Sequence, residues 1–231
     1  YSNSNVNIEI NLVHTAEVSY TESGSYSTDL SRLSGTTDGY MDDVHALRNT
    51  HGADMVALIS NSTQYCGIGY LMYNPSPAYA TAMFSVTYHG CAVGNYSFAH
   101  ELGHNMGAHH DHTNSDPKGA YTYSHGHHFG SWRSIMAYAP GTRVGRFSNP
   151  DVVYGGHATG VEIGESGEAD NATTLNNTAS IVAAFRDSAT FNISGTITSG
   201  GSGLSGVTVD AGDIGVTTTY GSGNYSFSNV E

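Results

Sequence analysis

The sequence has little positive charge: one lysine and six arginines stand against 20 acidic residues in 231, a formal net charge of −13 at pH 7. A nucleic acid or an anionic membrane surface is therefore an unfavourable partner, because both are bound through clustered cations. Long apolar runs are also missing, and none approaches the roughly 20 residues of a membrane-spanning helix. The acidic surplus is compatible with bound Ca²⁺, although acidic surfaces are ordinarily only solvated.

Cysteine is equally scarce, with Cys66 and Cys91 alone in the chain. Two cysteines fit a single disulfide in an oxidising compartment, and two unpaired buried thiols are the alternative. Only 12% of the residues are charged, whereas Gly, Ser, Thr, Asn and Tyr are abundant. This composition is typical of an exported, loop-rich protein, so we expect a secreted, extracellular location.

The order of the predicted elements indicates an α/β or α+β domain. Alternating apolar and polar residues predict a half-buried strand over residues 6–14, followed by a loop rich in Ser, Thr and Gly. Helical spacing predicts a helix over 40–49, and the continuous apolar run 53–59 is typical of a central parallel strand. The further predictions are strands at 67–72 and 83–88, helices at 96–107 and 173–186, and an irregular stretch at 111–164.

The composition changes near residue 187. Residues 1–187 are expected to form the first domain, and residues 188–231 carry almost no charge and much Gly, Ser, Thr and Val. Alternation at 191–198 and 207–209 predicts strands, and 222–227 predicts a turn that enters another strand. About 42 residues fall short of the roughly 80–100 of a seven-stranded sandwich. We therefore expect a partial all-β domain, cut off at Glu231.

One stretch concentrates candidate metal ligands: His100, Glu101, His104, Gly107 and His110 follow the pattern H-E-x-x-H-x-x-G-x-x-H. On a helix, the two histidines four residues apart lie on one face, so both can reach one ion. Glycine can adopt a positive φ, which ends the helix and turns the chain so that the third histidine approaches from another direction. Three neutral imidazoles with one open position are typical of a catalytic zinc site, and the glutamate is placed to act as general base.

Other histidines near this stretch are weaker candidates for a metal. His109 and His112 neighbour the third ligand, but we expect their side chains to point elsewhere. His125, His127 and His128 form a local cluster, which is interpreted either as a second metal site or as a polar loop.

Residues 1–187 resemble the metzincin metallopeptidases, and within them bacterial relatives of the adamalysin (reprolysin) type. Two motifs carry the resemblance. Asp111 directly follows the third histidine, as in adamalysins, and residues 134–138, Ser-Ile-Met-Ala-Tyr, are similar to the metzincin Met-turn. Met136 follows His110 by 26 residues, and both motifs in this order make a chance match improbable.

The resemblance implies a zinc endopeptidase with a mixed five-stranded sheet above the cleft, an active-site helix and a smaller irregular subdomain below. Met136 would lie beneath the zinc as a hydrophobic floor, and Asp111 would accept hydrogen bonds where the chain turns. The segment from Gly67 to Leu71 would be the antiparallel edge strand, to which a protein or peptide substrate adds a strand. Since Cys66 and Cys91 bracket this strand and the next, a disulfide between them would staple the upper rim of the cleft.

The chain departs from the adamalysin pattern in three respects. Tyr138 stands where adamalysins usually carry proline; astacins and serralysins have a tyrosine there as a movable zinc ligand, and a packing tyrosine is the alternative. The family's domain usually starts with a strand and a long helix, whereas residues 1–5 look like the end of that helix, so the first strand of the sheet is expected to be missing. Adamalysins also carry more disulfides.

The C-terminal residues resemble carboxypeptidase-regulatory-like β-sandwich domains through 193–197 and 223–227.

The leading functional hypothesis is a secreted, monomeric zinc endopeptidase in which Glu101 is the general base. An extracellular binding or adhesion protein with an incomplete peptidase domain is the alternative, and a zinc hydrolase with a non-protein substrate is a third. The walls of the specificity pocket are expected in residues 139–147, whose sequence does not define the preferred side chain.

Overall fold

The computed structural model describes residues 1–115, 119–186 and 191–230, and the chain divides into two units, Tyr1–Arg186 and Asp187–Glu231. Among the described residues, no helix is both long and apolar enough to span a membrane. The helices of the first unit are α1 (Tyr26–Ser34), α2 (Asp43–Thr50), α3 (His89–Ala92), α4 (Ser97–Asn105) and α5 (Asn171–Val182), with 3-10 turns at Ser2–Ser4 and Pro77–Ala82. Its strands are β1 (Val56–Ser60), β2 (Gly67–Gly69), β3 (Phe84–Tyr88), β4 (His128–Phe129), β5 (Trp132–Arg133), β6 (Thr142–Arg143), β7 (Val153–Tyr154) and β8 (His157–Ala158).

A three-stranded sheet lies in front of the helix that carries the histidine motif. β3 is its central strand and pairs in parallel with β1 and antiparallel with β2. The run 53–59 was predicted to be a central strand; it forms a parallel strand, β1, but among the described residues β1 lies at an edge of the sheet. Val56 lies opposite Phe84, and Gly67 lies opposite Thr87. β2 is therefore an antiparallel edge strand, the arrangement expected for residues 67–71, although its ladder is only three residues long.

A five-stranded sheet that lacks its first strand, as expected, would leave four strands, whereas the sheet next to α4 has three among the described residues. The strand predicted over 6–14 is wrong, because these residues form no backbone ladder with another strand. Val6 is buried, whereas Leu12 is 82% exposed and Val13 is 50% exposed. Alternation gives a segment two faces, but a strand also requires a neighbouring chain with which to exchange hydrogen bonds.

Helix α1 lies within the stretch that was predicted to be a loop. The Ser25 side chain accepts a hydrogen bond from Thr28 N and so caps the helix. Tyr26, Leu30 and Leu33 follow a helical spacing and are buried against the sheet. The other face consists mainly of serine and threonine, and for this reason the helical spacing of the three apolar residues was not recognised in the sequence.

A second core joins the residues that follow α4 to residues 135–136 and to α5. The predicted C-terminal helix is present as α5, which starts two residues earlier than expected because the Asp170 side chain accepts from Thr173 N. Within the helix, Thr178 Oγ1 donates to Met106 O at 2.8 Å. The buried members of this core are Val6, Met72, Met83, Met106, Ala108, Ile135, Met136, Phe147, Ala172, Leu175, Val182 and Phe185.

The second unit contains only strands and one 3-10 turn, Gly212–Ile214, among its described residues. Its strands are β9 (Phe191–Thr196), β10 (Thr198–Ser199), β11 (Ser202–Gly203), β12 (Thr208–Asp210), β13 (Val216–Thr218) and β14 (Asn224–Val230). They form antiparallel pairs, β9 with β14, β10 with β11 and β12 with β13. The predicted boundary at 187–188 and the chain end at Glu231 lie outside the described residues, and the likeness to a β-sandwich family stays a prediction.

Candidate metal centre and active site

Helix α4 is fixed to the sheet by a buried asparagine. The side chain of Asn105 is fully buried, and its Nδ2 donates to Tyr70 O at 2.9 Å and to Phe84 O at 3.1 Å. Met72 N donates to His104 O at 3.1 Å, which adds a backbone contact between the helix and the segment after β2. These hydrogen bonds fix the position of α4 relative to the sheet and therefore the position of its histidines.

The three histidines of the motif converge on one point. His100 Nε2 lies 3.2 Å from His110 Nε2, and His104 Nε2 lies 3.0 Å from the same atom. They form the only group of three or more potential metal-ligating side chains within 1–115, 119–186 and 191–230. Nitrogen ligands of a tetrahedral zinc at about 2.0–2.1 Å lie roughly 3.4 Å apart, so the triad is close to the spacing that zinc requires.

The other ring nitrogen of each histidine is held by a backbone carbonyl. Nδ1 of His100 donates to Ile135 O at 2.8 Å, Nδ1 of His104 to Ala108 O at 2.9 Å, and Nδ1 of His110 to Asn114 O at 3.3 Å. The carbonyls assign the proton to Nδ1 and leave each Nε2 with a bare lone pair. Three buried lone pairs that face one another repel unless a cation lies between them, so the donor set fits a metal.

Burial also keeps these imidazoles neutral. Desolvation, followed by the charge of neighbouring histidines, lowers the pKa of His104 to about 3 and that of His110 to about 4. The pKa of His100 is lowered well below its ordinary value for the same reasons. Neutral imidazole is the form that binds a metal.

Gly107 turns the chain towards the third histidine. Its φ is +91°, and a Cβ atom on it would lie 2.5 Å from Ala120 Cβ. Ala108 N donates to Gly103 O at 2.9 Å and closes the turn. Glycine is therefore required here by both the backbone conformation and the space, as its place in the motif indicated.

Met136 lies directly under the helix between the two histidine turns. It is fully buried, and a Cβ atom on Gly103 would lie 2.8 Å from its sulfur and 3.1 Å from the Phe147 ring. The small residue at 103 thus lets α4 lie on the methionine. This role of Gly103 was not predicted, although it is the small residue between the two helical histidines.

Asp111 connects the third histidine to the Met-turn. Its Oδ2 accepts from Tyr138 N at 2.9 Å, and Asn114 Nδ2 donates to the same carboxylate. His128 Nε2 lies 3.4 Å from its Oδ1. Burial acts to raise the pKa of Asp111, but these donors outweigh it and lower the pKa below its usual value.

Tyr138 packs on the metal ligands with its ring. The ring centroids of Tyr138 and His110 are 4.0 Å apart, and the Tyr138 side chain lines the same cleft as Glu101. Burial, followed by the negative charge of Glu101, raises the pKa of the phenol. The hydroxyl therefore stays protonated at neutral pH and can donate a hydrogen bond.

Glu101 is buried on the side of α4 that faces the edge strand. Desolvation raises its pKa to about 8, while the positive charge of Arg143 acts in the opposite direction. A Cβ atom on Gly67 would collide with Glu101 Oε1, and one on Gly69 would lie 3.0 Å from the Glu101 carbonyl oxygen. Glycines two residues apart face one side of a strand, so the G-x-G sequence of β2 was a signal for this close approach.

A cleft of about 380 Å³ opens above these groups. Cys66 and Cys91 form a disulfide, as predicted, and Cys66 lies at the rim of the cleft. Arg143, which the sequence did not single out, also reaches the cleft from β6. The lining residues are Tyr65, Cys66, Gly67, Ile68, Asn95, Ser97, His100, Glu101, Tyr138 and Arg143.

The other histidines near the motif are not members of the triad, although the rings of His109 and His110 have centroids 5.2 Å apart. The rings of His112 and His125 have centroids 3.8 Å apart, and His112 Nε2 donates to Glu168 O at 2.8 Å. The rings of His109 and His125 lie 6.3 Å apart. His127 is half-buried, and desolvation lowers its pKa. Within the described residues, the predicted cluster at 125–128 gathers no second group of three potential ligands.

Two histidines and a glutamate on a helix, a third histidine after a glycine turn and a methionine beneath them define the site of a metallopeptidase. Residues 1–148 match the profile Reprolysin_5, described as metallo-peptidase family M12. The chain therefore belongs to metallo-peptidase family M12.

Several relatives carry the name peptidyl-Asp metalloendopeptidase. The protein from Xanthomonas campestris pv. campestris is 43% identical over 190 residues, covering 80% of this chain and 44% of that protein. The one from Stenotrophomonas maltophilia (strain R551-3) is 42% identical over 194 residues, 45% of its length. The chain thus spans less than half of these two relatives. The protein from Pseudomonas fragi is 34% identical over 192 residues, which cover 96% of it.

A solved structure of a chaperone–substrate complex is similar in fold. Its TM-score is 0.52 at 23% sequence identity, and the match covers 71% of this chain and 28% of that one. Identity at this level shows a shared fold alone.

Proposed function

We propose that the protein is a secreted zinc-dependent endopeptidase that cleaves protein chains at aspartate. The observation that carries the proposal is the convergence of three bare Nε2 atoms beside the buried carboxylate of Glu101. Membership of family M12 supports a peptidase, and the relatives named peptidyl-Asp metalloendopeptidase suggest aspartate as the substrate residue. The Cys66–Cys91 disulfide supports an oxidising, extracellular setting.

The metal would be held by His100, His104 and His110. Zinc bound there supplies a Lewis acid that activates water and polarises a carbonyl, and its charge favours the ionised form of Glu101. The proposal contains no calcium site, because the described residues gather no other group of three potential ligands.

Glu101 is the proposed general base. Its carboxylate lines the cleft and is desolvated, which makes it a stronger base than an exposed glutamate. It accepts the proton of the attacking water and then passes this proton to the leaving amine. The glycines of β2 make room for this carboxylate, because a side chain at either position would meet Glu101.

Tyr138 is the proposed second catalytic group. Its protonated phenol opens onto the cleft beside Glu101, where it can donate to the oxygen on which negative charge develops. Contact with the His110 ring at 4.0 Å fixes the plane in which it approaches. This role requires the phenol to lie beside the metal ligands. It does not require the phenol oxygen to coordinate the metal.

The substrate is proposed to bind as an added strand along β2. One edge of β2 pairs with β3, and Gly67 and Ile68 line the cleft. A peptide backbone laid along an exposed edge gains main-chain hydrogen bonds independently of its side chains. Side-chain preference must then come from the wall of the cleft.

The test is cleavage of a protein substrate by the chain before and after chelation, with zinc returned. Activity should disappear with the metal and return with it. Glu101→Gln should keep its zinc and lose at least about 10³-fold in kcat, as expected for loss of proton transfer and placement of water. Glu162→Gln, which changes an exposed carboxyl, is the matched control and should cleave normally. Cleavage by the metal-free chain, or by Glu101→Gln at the normal rate, would refute the proposal.

A further inference from the structure

Arg143 is held in the wall of the cleft by the two strands next to the Met-turn. β6 pairs in parallel with β5, and Arg143 lies opposite Arg133 in the register. Arg143 Nη1 donates to Asn95 O at 3.1 Å, and its Nη2 has only a long contact of 3.4 Å with Ala137 O. The guanidinium is therefore fixed along one side and has spare donors on the others.

The spare donors lack a partner in the protein. Arg143 Nε is buried and makes no hydrogen bond, and Arg143 forms no ion pair with any carboxylate of the residues that the structure describes. Its neighbour Arg133 is used differently, because its Nε donates to Gly141 O at 2.8 Å and its Nη1 to Ala137 O at 2.7 Å. Arg133 thus supports the loop at residues 137–141, and Arg143 has unused donors in the wall of the cleft.

The position is electrostatically costly without an anion. Burial, followed by the charge of Arg133, lowers the pKa of Arg143 to about 10, while Glu101 and Tyr138 act in the opposite direction. Two of only seven cationic residues of a chain with net charge −13 meet at this point. A partly buried cation that forms no ion pair next to a reaction centre is typical of a site that an anionic ligand completes.

We propose that Arg143 recognises the substrate by binding the side-chain carboxylate of aspartate. This inference rests on the proposed peptidase function and names the residue that confers its specificity. A guanidinium binds a carboxylate through two parallel hydrogen bonds. Each Nη of Arg143 carries a second N–H besides the one directed at Asn95 O or Ala137 O, and these two are the donors available for the carboxylate. Since Arg143 and Glu101 line the same cleft, the aspartate side chain of the substrate would bind close to the peptide bond that is cleaved.

A structural role for Arg143 predicts a different result. Its bond to Asn95 O lies two residues before α4, and Asn95 Nδ2 in turn contacts Ser97 Oγ at 3.2 Å. Loss of this support would slow cleavage of every substrate equally. Recognition of a carboxylate changes the ratio between substrates, so the ratio is the quantity to measure.

The experiment uses the zinc-loaded full chain and peptides that differ at a single position, with Asp, Asn, Glu or Ala as the variable residue and no other acidic side chain. The wild-type kcat/KM should favour Asp over Asn by about 30-fold or more, as expected for a desolvated charge pair. Arg143→Gln should bring this ratio within about threefold of unity, mainly by slowing the Asp peptide. Arg143→Lys keeps the charge but loses the planar fork, and should lower the ratio by an intermediate amount.

Two controls define the outcome. Arg146→Lys changes an arginine three residues away, whose guanidinium lies over the Tyr154 ring outside the cleft, and should keep the wild-type ratio. Each peptide is also tested with an amidated C-terminus, which separates the side-chain carboxylate from the terminal one. Equal cleavage of both forms supports the side chain, and loss of cleavage on amidation overturns the proposal.

The proposal fails if folded, zinc-containing Arg143→Gln keeps the wild-type Asp-to-Asn ratio, or if it loses activity on all peptides equally. If the glutamine variant does not fold, an unchanged ratio in the lysine variant overturns it instead. Failure of the proposed function looks different, because wild-type protein with zinc would then cleave none of the peptides.

Discussion

Gly67 lies so close to Glu101 that a Cβ atom on it would collide with the carboxylate oxygen Oε1. The edge strand and the active-site helix therefore approach each other through a glycine, and the carboxylate occupies the space that a side chain would take. This relationship couples the strand proposed to bind the substrate to the group proposed to move the proton.

Gly67→Ala should displace the Glu101 carboxylate while leaving the three histidines in place. Misplacement of a catalytic group by about 1 Å lowers the rate by roughly 10²-fold, and we expect a loss of that size in kcat with normal zinc content. Gly94→Ala is the control, since no atom lies within 4 Å of the position of its Cβ. Unchanged kcat in Gly67→Ala would show that the carboxylate can move without consequence.

Asn105→Leu should destabilise the chain, because it removes the donor to the Tyr70 carbonyl and to the buried Phe84 carbonyl and inserts an apolar group against them. A buried acceptor left without a partner costs about 1–3 kcal/mol, which urea unfolding would measure as a lower midpoint. Asn177→Ala, on the exposed face of α5, should change the free energy of unfolding by about 0.5 kcal/mol or less. Similar values for the two variants would contradict the docking role of Asn105.

Reduction of the Cys66–Cys91 disulfide should lower stability. The bond joins residues 25 apart, for which loop-closure entropy gives about 3 kcal/mol. The double variant Cys66→Ser, Cys91→Ser should unfold at a correspondingly lower urea concentration. A reducing agent should shift the midpoint of the wild type but leave that of the double variant unchanged, and an insensitive wild type would argue against the bond.

Acid should destabilise the metal-free chain. The pKa of His104 is lowered to about 3 and that of His110 to about 4, whereas imidazoles of an unfolded chain titrate near about 6.5. Because the unfolded state binds more protons between these values, stability should be lost as the pH falls from about 6.5 towards about 3.

Unfolding in the presence of a chelator, at a series of pH values across that window, measures the effect of acid. His104→Gln should show a shallower decline, since one of the titrating groups is gone. A free energy of unfolding that does not vary with pH would be inconsistent with neutral, buried imidazoles.

The metal-binding motif was predictable because its geometry is local. His100 and His104 are one helical turn apart, and Gly107 directs the chain to His110, so the spacing along the sequence already contains the arrangement in space. The helix at 96–107 and the strands at 53–59 and 83–88 were predictable for the same reason, as each is defined by its own periodicity.

The other features depend on partners distant in sequence. Residues 6–14 alternate as a strand does, but they form no ladder with another strand. Asn105 docks α4 on carbonyls 35 and 21 residues away, and Arg143 faces Glu101 across the cleft only after the Met-turn has folded. The sequence therefore predicted which histidines converge, whereas the groups that support them and line the cleft required the structure.

The Asp111 carboxylate has a mechanical consequence for substrate binding. It directly follows the third histidine and also holds the backbone of Tyr138, 27 residues further along the chain. A residue that lines the cleft and the residue next to the third histidine are therefore joined by one hydrogen bond. Any displacement of the Tyr138 backbone has to break this bond or move Asp111 with it.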